Sequence, residues 1–514
     1  MKRRAWIWAG IALLLLAAAL VVIQRHPIAP VVPPSIPEAQ SAKGFVEREP
    51  SPEAHNLISV TGPAGQHATG TPLDDKLMDK TGGSVLIGLA GNDTYQAPDE
   101  RTRIVEQPGE GIDTIETWNS FKIPANVENL VLVGQYSTGT AALGGSRLTS
   151  QGLGNVLESG PGSDTLVADA KSRQTTFLFH PGSGADMIVN FRADGKRPDY
   201  IRLTLPGLCD FDAIRRKLAP SGGDTLLTLS PQDRILVKGI LPDQLKADHF
   251  LLCFDPKAMA MTFDEPFDSL SLLDRTTGEG RWKTAYAHGP PDGHGSDNAR
   301  RLTGNKDEQI YVDPAYSGDP AASQAPLGLN PFNARGGLLS IRAWRLAPED
   351  SAKLWGRKYA SGLLTTETSF NQTYGYFEIR AELPQIRGMF PAFWLLPASR
   401  QWPPEIDIME NVAQDFVTCG RVTPDGNTAF FIRYHGGVKG MHRYGVLWTP
   451  ERISCVFDGQ VVGSTPTPPS LKQPMYMLLN LAVGGKWPGS PRSDFRSAEL
   501  KVDYIRAYRW EPSR

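Results

Sequence analysis

Cysteine is scarce in this chain: Cys209, Cys253, Cys419 and Cys455 are the only four among 514 residues. Their wide spacing does not resemble a zinc site, whose ligands come in closely spaced pairs. In an oxidising compartment they allow two disulfides in any of three pairings, and four buried thiols are the alternative. An excess of charge is missing too, with 53 basic against 55 acidic side chains and a formal net charge of −2. With no long-range positive field, and no basic cluster with interleaved aromatics, nothing here speaks for a nucleic-acid partner. The make-up, 40% hydrophobic and 21% charged, is that of a folded protein rather than a disordered one. The length leaves room for two to four domains.

What is present begins with "MKRRAWIWAGIALLLLAAALVVIQRHP". Ala5 to Ile23 carry no charge, a run of about the length that spans a bilayer core as a helix. Lys2, Arg3 and Arg4 precede it, which keeps the short N-terminus in the cytoplasm and sends the rest outward. The stretch "ALVVIQRH" offers bulky residues where a signal peptidase needs small ones. Residues 1–26 therefore read as a transmembrane signal-anchor, with secretion after cleavage as the alternative. In both cases the bulk of the chain faces the periplasm or the cell exterior. Residues 27–55, rich in proline and charge, read as a semi-extended spacer.

From 56 to 255 short alternating apolar runs are separated by Gly-Asn-Asp-type turns, the texture of an all-β region. "IGLAGNDTYQA" (87–97), "ESGPGSDTLVA" (158–168) and "FHPGSGADMIVNF" (179–191) share a Gly-x-Asp core, extended to Gly-x-Gly-x-Asp in the last two, followed by apolar residues. With the flanking stretches at 109–134 and 224–252, the region resembles the RTX (haemolysin-type) repeats of exported proteins. The resemblance implies a calcium-binding β-roll, with Asp93, Asp164 and Asp186 as candidate ligands of a structural Ca²⁺. A degenerate roll that only spaces, or binds polysaccharide, is the alternative, because the three copies are scattered rather than consecutive.

Beyond residue 256 helix-length periodic segments are few and tryptophan is frequent. Eight of the eleven tryptophans fall there, as a large β-sandwich with an aromatic-lined groove would have. Within it, "PPEIDIMENV" (403–412) places Glu405, Asp407 and Glu410 within six positions. On a strand, Glu405 and Asp407 share a face while Ile406 and Ile408 take the other. Glu410 joins the two acids only if an extra residue, a β-bulge at Met409, is inserted. Three acids on one face repel one another unless the site uses them. Cleavage of a glycosidic bond with retention needs two carboxyl groups roughly 5–5.5 Å apart.

The flanks carry a further resemblance. "YASGLLTTETSFNQTYGYFEIRAELPQIRGMFPAFWLLPASRQWPPEIDIMENV" (359–412), "MHRYGVLWTPERISCVFDG" (441–459), "MYMLLNLAVGGKWPGSP" (475–491) and "LKVDYIRAYRW" (500–510) are similar, in order, to glycoside hydrolase family 16. The resemblance implies that 256–514 is a concanavalin A-like jelly-roll sandwich with a sugar-binding cleft. By the same token Glu405 matches the nucleophile, Asp407 the assisting carboxylate and Glu410 the acid/base, with no cofactor for catalysis. The bulged Glu-x-Asp-x-x-Glu spacing resembles the laminarinase-like β-1,3-glucanases. Trp394, Asn480 and Trp487 stand where that family lines its cleft, and Phe390 takes a place usually held by tryptophan; core positions are the alternative for Phe390 and Trp394. Cys455 and Val456 replace an expected Trp-Tyr. His435 and His442 are the available imidazoles, with His442 reading as packing.

"NKDEQIYVDPAY" (305–316) and "SGLLTTETSFNQTYGYFEIRAELP" (361–384) resemble bacterial exopolysaccharide β-glycanases most. The expected function is an endo-acting retaining β-glycanase on β-1,3/1,4-linked polysaccharide. A transglycosylase using the same intermediate, or a non-catalytic polysaccharide-binding surface protein, is the alternative.

Overall fold

The computed structural model describes residues 56–511, apart from 196, 206, 289–294, 414–415 and 434–437. The expected membrane helix, the spacer at 27–55 and His435 lie outside the described residues. Among the described residues no helix is long and apolar enough to cross a membrane. The chain divides into two compact units, with the division between Phe254 and Asp255.

The first unit is an all-β solenoid. Strands of two to five residues pair in parallel, turn upon turn, so that Leu77 lies beside Tyr95, Tyr95 beside Ile115 and Ile115 beside Leu130. The same row continues through Leu148 to Leu166. All six side chains are fully buried. A second set of parallel strands closes each turn, with Leu157 beside Phe177 and Phe177 beside Ile201. Each short run thus needs only one or two inward residues, because the neighbouring turn supplies the rest of the core.

The corners are held by aspartates. Asp75 N donates to Asp93 Oδ1 at 2.7 Å, and Asp93 N to Asp113 Oδ1 at 2.8 Å. Ser146 N donates to Asp164 Oδ1 at 2.6 Å, and Asp164 N to Asp186 Oδ1 at 3.0 Å. A backbone N–H turned inward at a corner has no strand partner, and the carboxylate of the next turn caps it. This is a structural reason for the aspartate in the Gly-x-Asp core. An antiparallel hairpin, Leu218–Ser221 and Asp224–Thr228, extends one sheet, and Cys209 is disulfide-bonded to Cys253.

The second unit is a two-sheet sandwich. One sheet runs Leu363–Thr365, Met475–Val483, Met389–Pro397, Glu405–Glu410, Phe416–Val422, Thr428–Arg433, and a ten-stranded sheet packs against it. Alternation of period two sorts the side chains. Met389, Phe393 and Leu395 enter the core between the sheets, where they meet Ile379, Val446 and Ile505 from the other side. Cys419 is disulfide-bonded to Cys455, with Cα atoms 6.1 Å apart, joining a strand of one sheet to the strand Arg452–Phe457 of the other. The cysteine that stands in place of an expected aromatic is therefore half of an inter-sheet bridge. Both disulfides form, and no cysteine is free. His442 bonds Asp458 at 2.8 Å on a strand of the ten-stranded sheet, in a structural setting.

Candidate active site

The strand Glu405–Glu410 lies between Met389–Pro397 and Phe416–Val422. Its pairing is regular at Asp407, opposite Trp394 on one side and Gly420 on the other. It resumes at Glu410, opposite Ala392 and Thr418, after an irregularity spanning Ile408 and Met409. The extra residue expected at Met409 is present, and two residues stand there against one partner. Ile406, Ile408 and Met409 all enter the core, while Glu405, Asp407 and Glu410 all line one cleft.

Each carboxyl has its own surroundings. Glu405 Oε2 accepts from Trp402 Nε1 at 2.7 Å, and Glu405 also shares a hydrogen bond with Asp407. Burial lifts Glu405 above the ordinary carboxylate range, and these two donors pull the other way by favouring its charged form. Asp407 is lifted well above that range by burial, then by the charges of Glu405 and Glu410. It holds the proton it offers to Glu405. Glu410 is raised to about 8, mainly by burial and then by the charge of Glu405, against a hydrogen bond from Thr418 Oγ1 at 3.2 Å. A carboxyl whose charged form two donors favour stands beside one raised to about 8, which keeps its proton at neutral pH. That is the pairing an acid-assisted displacement at a sugar carbon requires.

The four residues expected to meet sugar face this cleft. Phe390 and Trp394 alternate with the core residues of their strand, and Asn480 does so on the neighbouring one. Trp394 Nε1 donates to Asn480 Oδ1 at 2.8 Å. Phe390 and Trp487 meet edge to face, 5.3 Å between ring centres. Of the two placements open for Phe390 and Trp394, the structure has the cleft face.

Sequence reasoning missed four further lining residues. Tyr286, Asn305, Asp307 and Tyr311 also line the cleft. Asp307 is buried, and its Oδ2 accepts from Leu302 N at 3.0 Å and Gln309 Nε2 at 3.1 Å. Its Oδ1 has no hydrogen-bond partner, and burial raises the group to about 6. The signal lay in "NKDEQIYVDPAY", which carries both Asp307 and Tyr311. Trp402, three residues before Glu405, was in view without a role.

The metal candidates do not form one site. Asp93, Asp164 and Asp186 sit at separate corners of the solenoid, the last two in contact through Ser159.

Residues 342–506 match the family Glycosyl hydrolases family 16. Endo-1,3-1,4-beta-glycanase ExsH of Rhizobium meliloti (strain 1021) is 36% identical over 465 residues, covering 88% of this chain and 94% of that protein. Endo-1,3-1,4-beta-glycanase EglC of the same organism is 37% identical over 461 residues, with the same two shares of 88% and 94%. A Beta-glucanase of Rhodothermus marinus is 38% identical over 208 residues, 35% of this chain and 71% of that protein.

Proposed function

Since the chain belongs to glycosyl hydrolase family 16, we propose that it is an endo-acting β-1,3-1,4-glycanase that cleaves with retention, by double displacement. The observation that carries the mechanism is the bulged strand. It turns three carboxyls onto one face of a buried cleft and leaves Glu410 protonated beside a donor-supported Glu405.

In the first step a Glu405 oxygen attacks the anomeric carbon as the bond to the leaving sugar breaks. Glu410 gives its proton to the departing oxygen, and a glycosyl ester forms on Glu405. Asp407, through its shared proton, steadies the Glu405 charge while the nucleophile waits and again when it leaves. In the second step water attacks the same carbon, Glu410 takes the water's proton, and Glu405 departs as carboxylate. Trp394, Trp487 and Phe390 offer aromatic faces and edges to sugar rings, which their apolar surfaces suit. Relatives named as endo-1,3-1,4-beta-glycanases over 88% of the chain support a mixed β-linked polymer, an exopolysaccharide or β-glucan, as substrate.

The full chain and its Glu405→Gln variant, incubated with laminarin, mixed-linkage β-glucan, succinoglycan and agarose, test this reading. The wild type shortens at least one β-1,3/1,4 polymer to fragments of many lengths from the outset, and the variant does not. Cleavage of none of them, or equal cleavage by both proteins, contradicts it.

We also propose that the protein is tethered to the membrane by residues 1–26 and works outside the cytoplasm. The uncharged run from Ala5 to Ile23 behind three basic residues supports this, as do two disulfides, which persist in oxidising compartments. Membrane fractions washed with carbonate retain the full-length chain if this holds. Recovery of a shortened, soluble form with a new N-terminus counts against it.

A further inference from the structure

We infer that Glu367 is a positioning residue for the reaction: it clasps Lys283 and Arg400, and through Arg400 it holds the loop that aims Trp402 at Glu405. The side chains of Lys283 and Glu367 are 5% and 4% exposed, with Lys283 Nζ 2.5 Å from Glu367 Oε2. On the other carboxyl oxygen, Oε1, lies the Arg400 guanidinium at 2.5 Å. None of the three lines the cleft itself.

Lys283 alone balances the charge of Glu367, so Arg400 is surplus to neutrality. What it adds is attachment. Glu367 Oε1 is buried and meets Arg400 as a counter-ion rather than through an aligned hydrogen bond. An ion pair of an exposed arginine is ordinarily weak, but here the carboxylate end is buried and little screened. Arg400 also stands at φ 59°, in the left-handed region that a residue with a side chain seldom takes. Such a conformation persists where the surroundings fix it.

The loop concerned joins the strand Met389–Pro397 to the strand Glu405–Glu410. Its first residues are fastened by Ala398 N to Pro474 O at 2.9 Å and by Ser399 Oγ to Gln473 Oε1 at 2.9 Å. Arg400 is the next anchor, and Trp402 follows two residues later with its N–H on Glu405. Burial, Asp407 and Trp402 set the ionisation of Glu405, and no cation is among them. The other titratable groups that feel Glu405 are Glu410 and the Tyr286 phenol. Arg400 therefore reaches the nucleophile by way of the indole and not by its charge. At the other end of the clasp, Lys283 pairs with Thr365 through its backbone, and its Nζ reaches Tyr286 O at 3.5 Å. Tyr476, which feels the charges of both Glu367 and Arg400, packs with Tyr286 and Trp394. One buried carboxylate thus ties the Trp402 loop to the segment that carries Tyr286.

The inference rests on Glu405 as nucleophile for its effect on rate, but its geometry can be read without substrate. The full chain, labelled with 5-fluorotryptophan, is followed by fluorine NMR as pH is varied. The Trp402 signal is identified by its loss in Trp402→Phe, and its titration by Glu405 is absent in Glu405→Gln. Arg400→Asn suits the left-handed backbone and leaves Glu367 paired with Lys283, so the protein folds. Its Trp402 signal shifts and responds less to pH. On the polymer cleaved fastest, its kcat falls roughly tenfold, with a smaller change in KM. The acid limb of its pH–rate profile moves to higher pH. In the Trp402→Phe background Arg400→Asn moves that limb no further. Arg400→Lys, which keeps a cation for Glu367, stays near the wild-type limb. An unchanged Trp402 signal and limb in Arg400→Asn overturn the inference. So does an equal displacement in both backgrounds, which would mean direct action of the charge, or an Arg400→Lys protein displaced as far as Arg400→Asn. A wild type whose Trp402 titrates with Glu405, and loses that response in Arg400→Asn, but which cleaves no polymer, would contradict the functional reading and leave the clasp standing.

Discussion

Trp402 donates its indole N–H to Glu405 Oε2 at 2.7 Å, from a ring 36% exposed to a carboxyl 6% exposed. A donor aimed at the charged form of a carboxylate lowers its pKa. Trp402→Phe keeps the ring and removes the donor. A hydrogen bond to a charged group contributes about 1.5–3 kcal/mol, so kcat/KM should fall roughly 10- to 100-fold. The acid limb of the pH–rate profile should also move to higher pH, because Glu405 becomes harder to ionise. A profile of unchanged shape would show that the indole N–H does not act on the nucleophile.

Glu410, raised to about 8, works as an acid only while it holds its proton. Activity should therefore decline as pH rises through about 8. Thr418→Val removes a donor that favours the ionised form, so the decline should shift to higher pH. Stability follows the same group with the opposite benefit. Between the unfolded carboxyl value and about 8 the unfolded chain releases the proton and the folded chain holds it, so each rise in pH costs stability. Glu410→Gln removes that cost. It should melt higher than the wild type at pH 7, with the difference vanishing below the ordinary carboxylate range, while kcat collapses.

Asp307 offers an unpartnered Oδ1 beside the carboxylates of the cleft. In Asp307→Asn the amide oxygen is held by Leu302 N and Gln309 Nε2, so the amide NH₂ faces the cleft and an acceptor becomes a donor. A site built to accept from a hydroxyl discriminates strongly when that pairing fails. KM for the polymer should rise tenfold or more, on the order of 1.4 kcal/mol, with a smaller change in kcat. Kinetics on the best polymer substrate read this directly.

The Cys419–Cys455 bridge joins the two sheets across 36 positions of sequence, next to the catalytic strand. Replacing both cysteines with serine should lower the stability of the sandwich by about 2–4 kcal/mol, read from denaturant midpoints. Removing Cys209–Cys253 should leave the melting of the sandwich unchanged, since that bridge lies within the solenoid unit.

The strand of Glu405, Asp407 and Glu410 was legible through the family resemblance, which its alternating pattern supports. Ile406 and Ile408 must be buried, and only an inserted residue returns Glu410 to the face of Glu405. Trp394, Asn480 and Trp487 were legible through the family's motifs, although the face of Trp394, like that of Phe390, was not, since an aromatic ring suits core and cleft alike. Tyr286 and Asp307 were not legible, because long-range pairing delivers them. Lys283 bridges Thr365 just before Tyr286, and Gln309–Tyr311 runs parallel to Tyr359–Ser361 just after Asp307. In the solenoid the repeated aspartates looked alike as ligands. Their role as caps, and the difference that Ser159 makes between one corner and another, appears only when turns 18 to 22 residues apart are stacked.

The central claim is attack by Glu405 with Glu410 as acid, and the anomeric form of the first product tests it most directly. The full chain is mixed with the polymer it cleaves fastest, and new reducing ends are followed by proton NMR before they mutarotate. The account predicts the β-anomer first, with α growing in later. Appearance of the α-anomer first would mean inversion by direct attack of water, and would contradict the covalent role of Glu405.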